Sequence, residues 1–231
     1  MYGRKEVMKV KKDVMILTGA GQIGMAIARR MGYGKKIVIG DKKPENAQKI
    51  AEIMNNTGFD AEAVEMDLSS RESIRNLIAR AMECGDISML VNAAGVSPSQ
   101  ATAEELLQLD ILQPENIRDT LHAYQLAKRC NEKRVMAEAV KWGKRNARIN
   151  SISPGIIVTP LAVDELNGPR GDFYKNMFAN CPAGRPGTAD EVANAAELLM
   201  SDKGAFITGA DFLIDGGATA SYFYGPLKPE K

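Results

Sequence analysis

The sequence predicts a three-layer α/β protein, with helices covering both faces of a doubly wound parallel sheet. Three observations point there. Short apolar runs alternate with helical stretches from Val14 to Asn92. The first run ends in a glycine-rich turn that opens a helix, and an acidic residue closes the second run. No repeat, low-complexity tract or linker divides the 231 residues, so one domain over 1–231 is expected.

Each element has its own reason. Val14–Thr18 (VMILT) is a short apolar run with β-branched ends, read as a buried strand. Gln22–Met31 follows as a helix. Lys36–Gly40 (KIVIG) is strand-like, and Pro44–Asn55 is helical, with Pro44 near its start, where a missing N–H costs nothing. Ala61–Met66 alternates like a half-exposed strand. Ser70–Met82 is a helix with Ser69 or Ser70 as N-cap. Ser88–Asn92 (SMLVN) is a fourth strand. Strands and helices in this order form a parallel sheet.

Composition narrows the function. The chain is 45% hydrophobic and 26% charged, an ordinary soluble balance. A net charge of +1 gives no reason to expect nucleic acid or an anionic membrane. No run approaches the roughly 18 apolar residues of a membrane span. The basic N-terminus (MYGRKEVMKVKKD) lacks an apolar core and reads as a solvated lead-in, not a secretory signal. Cys84, Cys130 and Cys181 are scattered and His122 is the single histidine, so no metal site or disulfide framework is expected, and a reducing cytoplasm fits. His122 itself reads as a surface helix position.

The first chemical motif is Gly19-Ala20-Gly21-Gln22-Ile23-Gly24, a G-x-G-x-x-G turn between strand and helix. A phosphate needs a tight turn, close backbone approach and a helix N-terminus aimed at it, and this arrangement supplies all three. Asp41 closes the second strand 17 residues after Gly24. A carboxylate there can accept hydrogen bonds from ribose hydroxyls and would repel a 2′-phosphate, which favours NAD over NADP. Lys42 and Lys43 argue the other way, and Asp41 also reads as a plain turn residue. Asp67-Leu68 and Asn92-Ala93-Ala94-Gly95 end the third and fourth strands, where ligands of open α/β sheets lie. Farther on, Tyr124 and Lys128 stand four apart on an expected helix and so share a face.

Taken in order, these features resemble the short-chain dehydrogenase/reductase family. The similarity continues through Arg148-Ile-Asn-Ser-Ile-Ser-Pro-Gly155, Thr159-Pro160, Gly184-Arg-Pro-Gly-Thr-Ala-Asp-Glu-Val-Ala193, Phe206-Ile-Thr-Gly209 and Ile214-Asp-Gly-Gly217. The family turn T-G-x-x-x-G-x-G is one residue longer than the turn here. The resemblance implies a Rossmann fold and an NAD(P)-dependent interconversion of a secondary alcohol and a ketone by hydride transfer. It implies Tyr124 as the acid/base and Lys128 as the cation that lowers the phenol pKa and holds the nicotinamide ribose. Gly19, Gly21, Gln22, Ile23, Gly24, Asp41, Asp67, Leu68, Asn92, Ala93 and Gly95 would contact the cofactor. Pro154, Gly155, Ile157 and Thr159 would line the nicotinamide pocket. Leu161–Asn180 resembles the family's mobile substrate cover; two short helices with a turn at Gly168-Pro169-Arg170-Gly171 are compatible with that role. Phe173, Tyr174, Met177 and Phe178 stand at helical spacing. They suit a hydrophobic substrate such as a hydroxysteroid, or packing against the body or a neighbouring subunit. Tyr222-Phe223-Tyr224 could cap the site or line a subunit contact, and the family suggests a homodimer or homotetramer.

One part of the pattern is missing. The family's third catalytic group is a serine about a dozen residues before the tyrosine, but no serine lies between Ser99 and Tyr124. The family's active-site asparagine has no convincing match either. Only 29 residues separate Gly95 from Tyr124. A parallel crossover takes a dozen or more residues, and a strand and loop must follow it. Residues 101–109 read as a short helix with Thr102 as N-cap, Ile111–Asn116 as a loop, and a helix is expected from near Glu115 through Tyr124 towards Trp142. The expected fifth strand and its helix are thus absent, with the junction between about Gln100 and Thr102. Three origins fit: a stretch of the expressed protein that this sequence lacks, a deletion with the flanking strands closed together, or a non-catalytic NAD-binding member.

Overall fold

The computed structural model describes residues 12–94, 116–117, 119–169 and 171–228; for residues 120, 121, 161 and 165 only the backbone is described. The chain forms two compact units, Met1–Ala94 and Gly95–Lys231.

The first unit holds a four-stranded parallel sheet in the order β3-β2-β1-β4. Its strands are β1 (Lys12–Thr18), β2 (Lys36–Asp41), β3 (Asp60–Glu65) and β4 (Gly85–Asn92). Helices α1 (Gln22–Met31), α2 (Pro44–Asn55) and α3 (Arg71–Cys84) connect them. The apolar runs seen in the sequence become the two central strands, where Val14, Met15, Leu17, Ile37, Val38 and Ile39 have no exposed surface. Alternation sends these side chains to opposite faces. Val14, Ile16 and Val38 pack with Met66, Leu77 and Ala81 beneath α3. Leu17 meets Gly24 of α1 on the other face, and Ile37 lies against Gly32 just past its end. Helices therefore cover both faces of this sheet. Each fully buried Leu, Ile, Val or Met contributes about 1.5–3 kcal/mol.

Several boundaries shift from the sequence reading. Strand β1 begins two residues earlier because Lys12 and Asp13 pair with Gly85 and Asp86, and β4 correspondingly runs from Gly85, not Ser88. A register irregularity between Val14 and Met15 absorbs the extra residue. Of the two candidate caps of α3, Ser70 takes the role; its hydroxyl accepts the Ser73 N–H at 3.2 Å.

The half-buried positions of β3 are held by charge. Lys36 lies 2.9 Å from Asp60 and 3.2 Å from Glu62; Lys12 reaches Asp60 at 2.7 Å. Arg80 of α3 donates to both oxygens of Glu62 at 2.7 and 3.0 Å.

The second unit comprises α4 (Thr120–Gly143), β5 (Ser151–Pro154), α5 (Pro160–Asn167), α6 (Gly171–Asn180), α7 (Ala189–Met200), β6 (Asp211–Ile214) and α8 (Ala218–Tyr224). Helix α4 starts at Thr120 rather than near Glu115. The Asp119 carboxylate accepts the His122 N–H at 2.8 Å, and this N-cap fixes the start. At the other end, the Trp142 carbonyl accepts N–H groups from Arg145 and Ala147 at 2.9 and 3.1 Å. Strands β5 and β6 are parallel, with Ser151 opposite Asp211 and Pro154 opposite Ile214.

The Arg148-x-Asn150 motif proves to be structural. The Arg148 guanidinium donates to the carbonyls of Leu199, Gly204 and Ser201, the last two at 2.9 and 3.2 Å. Asn150 donates to the Ile207 carbonyl and accepts from the Ala210 N–H. Together they satisfy the end of α7 and the turn that leads into β6. Helix α7 opens with a reciprocal capping box between Thr188 and Glu191.

Among the described residues, β4 pairs with β1 alone and β5 with β6 alone. The sequence positions between them, Gly95 with the Gln100–Thr102 junction and the expected 101–109 helix included, lie outside the described residues.

Candidate active site

The three turn glycines have three separate reasons. Gly19 has φ +87°, and a Cβ there would sit 2.5 Å from the Ala94 backbone nitrogen. A Cβ on Gly24 would lie 2.9 Å from the Gly19 carbonyl oxygen and from Leu17, so this glycine lets α1 settle onto the sheet. Gly21 has no neighbouring protein atom within 4 Å of a built Cβ. Protein packing does not call for a glycine at that position, and the space beside the backbone there is open. Gly21 is also the N-cap of α1, without a side-chain cap, and the first turn carries no acidic residue. The first amides of α1, at Gln22 and Ile23, are thus left for an anion. This arrangement fits a dinucleotide diphosphate.

Other predicted cofactor residues gather at the carboxyl ends of the same strands. Asp41 ends β2. One of its oxygens accepts the Ala20 N–H at 2.8 Å and the other the Lys43 N–H at 2.9 Å. Asp67 follows β3 and accepts both the hydroxyl and the N–H of Ser69, at 2.7 and 2.9 Å. Lys42 reaches it at 3.0 Å. These bonds, that from the Ser69 hydroxyl foremost, bring the Asp67 pKa down to about 2. Leu68 beside it is exposed. Asn92 at the end of β4 accepts the Thr18 hydroxyl at 2.7 Å, and the Ala93 N–H donates to the Thr18 carbonyl at 2.8 Å. Gly95 lies outside the described residues.

The remaining predicted residues belong to the second unit. Tyr124 and Lys128 share one face of α4, as their spacing requires. The Lys128 ammonium lies 5.3 Å from the centroid of the Tyr124 ring, a cation–π placement. Tyr124 remains more than a third exposed, at 38%.

Pro154 ends β5. Gly155 is packed so closely that a Cβ would lie 2.8 Å from the Asp215 Cα. Ile157 is buried and bridges Gly187. The Thr159 hydroxyl accepts the Ala162 N–H, capping α5. Gly155 and Ile157 line a cavity of about 160 Å³ with Met177, Phe178, Cys181 and Asp215. Asp215 was not anticipated as a wall residue, although the Ile214-Asp-Gly-Gly217 signature contains it. Its carboxylate accepts the N–H groups of Gly217 and Thr219. Burial pushes its pKa up, but these bonds outweigh that and hold it below the usual carboxylate value.

The 161–180 stretch is two helices joined by a turn, as the sequence suggested. Its aromatic face divides. Met177 and Phe178 line the cavity, whereas Phe173 is exposed and meets Tyr174 edge-on. On α8, Tyr222, Phe223 and Tyr224 are all largely exposed, with successive rings in contact. Among the described residues, no group of His, Cys, Asp or Glu could hold a metal ion.

Comparison with known proteins places this geometry in context. The family model described as short chain dehydrogenase matches residues 13–113, and that described as Enoyl-(Acyl carrier protein) reductase matches residues 105–219. D-threitol dehydrogenase of Mycolicibacterium smegmatis is 32% identical, over 89% of this chain and 92% of its own length. The 7alpha-hydroxysteroid dehydrogenase of Bacteroides fragilis is 28% identical, over 91% and 96%. The short-chain dehydrogenase/reductase bsc3 of Alternaria brassicicola is also 28% identical, over 91% and 97%. That last alignment runs over 266 positions, more than the 231 residues of this chain, so the relative carries internal residues without a counterpart here. Among solved structures, gox2181 superposes with a TM-score of 0.75 at 24% identity, covering 91% of this chain and 97% of that one. An actinorhodin polyketide ketoreductase with NADPH gives 0.73 at 22%, covering 90% and 97%. The shared fold is the three-layer Rossmann arrangement.

Proposed function

Because the chain belongs to the short-chain dehydrogenase/reductase family, we propose that it is an NAD-dependent oxidoreductase that interconverts a secondary alcohol and a ketone (EC 1.1.1.-). The observation that carries the cofactor is the open space at Gly21 beside the uncapped start of α1, with Asp41 at the next strand end. When bound, NAD supplies the hydride acceptor. The amides of Gln22 and Ile23 hold the diphosphate, and Asp41 accepts an adenosine ribose hydroxyl. Asp67, Leu68, Asn92, Ala93 and Gly95 border the adenosine. Tyr124 removes the hydroxyl proton of the alcohol, or returns it in reduction, with the Lys128 ammonium 5.3 Å from the centre of its ring. Pro154, Gly155, Ile157 and Thr159 border the nicotinamide. Lys42 is paired with Asp67, which supports NAD over NADP.

The substrate class is supported by the apolar walls Met177 and Phe178 and by the hydroxysteroid enzyme among the relatives: a hydrophobic secondary alcohol such as a hydroxysteroid. The polyol enzyme at 32% identity makes a small diol the natural comparison substrate. Among the described residues no helix is long and apolar enough to cross a membrane. The setting we propose is a cytoplasmic homodimer or homotetramer acting on a small molecule, without nucleic acid or membrane.

A second reading, an NAD-binding protein without turnover, is favoured by one observation: no serine lies between Ser99 and Tyr124. One experiment separates the two. Purified protein is titrated with NADH and NADPH, then assayed with hydroxysteroids and polyols alongside Tyr124→Phe. We expect tighter NADH binding, and a loss of about 10²–10⁴-fold in kcat for Tyr124→Phe with NADH binding retained. NADH binding with no oxidation of any alcohol establishes the second reading. Preferential binding of NADPH refutes the role given to Asp41.

A further inference from the structure

The carboxylate of Asp41 is already engaged before any ribose reaches it. Its two oxygens accept N–H groups from two different turns: Ala20, inside the glycine turn after β1, and Lys43, the N-cap of α2 after β2. Ala20 is the residue between Gly19 and Gly21, at the centre of a turn one residue shorter than the family's. On one side, the turn is pinned by the Gly19 N–H donating to the Gly40 carbonyl at 2.8 Å. On the other, it leads into α1 through the Met25 N–H bonded to the Gly21 carbonyl at 2.9 Å. The Asp41–Ala20 bond at 2.8 Å is the restraint between these two anchors.

We propose that Asp41 is a positioning residue for the diphosphate as well as an acceptor for the ribose: it holds the shortened glycine turn in its phosphate-receiving shape through the Ala20 amide. The proposal rests on the nucleotide reading of this turn and extends it. A charge-assisted bond to a backbone N–H is strong enough to set a turn of this size. Replacing Asp41 therefore loosens the diphosphate grip together with the ribose grip, and removing the carboxylate does not by itself convert the site to NADP.

The test uses a ligand with no ribose hydroxyls, 2′,3′-dideoxyadenosine 5′-diphosphate, and two neutral variants. Asp41→Asn keeps an acceptor oxygen for Ala20; Asp41→Ala keeps none. Both remove the same negative charge, so charge repulsion of the diphosphate cancels between them. We expect Asp41→Asn to bind this probe about tenfold more tightly than Asp41→Ala, the effect of one hydrogen bond of this kind. Equal affinities overturn the proposal. Amide hydrogen exchange in the free protein gives an independent reading. The Ala20 amide should exchange at least about tenfold faster in Asp41→Ala than in wild type, while the Met25 amide is unchanged. Unchanged exchange at Ala20 also overturns it. If wild-type protein binds neither ADP nor the dideoxy probe, the nucleotide reading falls, and the exchange result alone decides whether Asp41 holds the turn.

Discussion

Gly21 and Gly24 are the same residue type three positions apart, and the structure gives them opposite surroundings. Gly24→Ala would push a methyl group to within 3 Å of Leu17 and the Gly19 carbonyl. It should cost about 1–3 kcal/mol in chemical denaturation. Gly21→Ala meets no protein atom and should stay within about 0.5 kcal/mol of wild type. NADH titration should nevertheless show Gly21→Ala losing at least about tenfold in affinity, because the methyl group occupies the ligand's path. A stable Gly21→Ala that binds NADH normally would remove the diphosphate from this turn. The motif was legible in the sequence because glycine spacing encodes backbone geometry directly. The engagement of Asp41 with Ala20 was not, since it depends on how β1 and β2 lie side by side. The same limit applies to Lys128: four-residue spacing sets the face it shares with Tyr124, but not that its ammonium lies over the ring.

At the scale of elements, β3 and α3 are joined to β2 through Lys36, Asp60, Glu62 and Arg80. Hydrogen bonds from Lys12 and then Lys36 lower the Asp60 pKa. For Glu62, burial pushes upward, but Arg80 and Lys36 bring it below its ordinary value. Carboxylates depressed in this way stabilise the fold fully above the unfolded-state value, and that stability is lost as pH falls through and below it. Burial pulls the Lys36 pKa down, yet its two carboxylate partners raise it overall, so its contribution persists in mild alkali and fades only above its ordinary 10.5. Urea midpoints should therefore be flat from about pH 6 to 9 and fall below about pH 4. Lys36→Met should flatten that acid limb in part, since Lys12 and Arg80 still hold Asp60 and Glu62; an unchanged limb would show that Lys36 contributes nothing to it. Arg148 makes a second case. Its planar fork serves several carbonyls at once, which a lysine cannot do. Arg148→Lys should lower stability by about 2 kcal/mol or more by thermal or chemical unfolding. Strand and helix existence was readable from apolar runs and caps, as at Ser70. The start of α4 was misplaced because a proline and a glutamate near 115 look like a helix start, whereas the Asp119 cap shows itself only through its bond to His122.

For the whole molecule, the sequence already showed too little chain between Gly95 and Tyr124 for a strand and its crossover. The bsc3 relative carries internal residues without a counterpart in this chain. In the described residues, β4 and β5 each pair with a single neighbour. An intact mass of 25.1 kDa is expected for the protein as sequenced. A mass several kilodaltons greater would mean that the expressed chain carries the missing strand. The fold class was legible because it depends on an alternation repeated many times. The candidate site was legible as motifs but not as an assembly, because its residues come from elements whose assembly no local pattern records.

Trp142 is the single tryptophan, and it sits in the last turn of α4, where its carbonyl caps the helix end. The first unit is therefore silent in tryptophan emission. A denaturation curve followed by that emission reports the second unit alone, while far-ultraviolet circular dichroism reports both. Coincident curves would show one cooperative transition, and separated curves would show two. The position of one indole thus makes the chain its own gauge of whether its halves melt together.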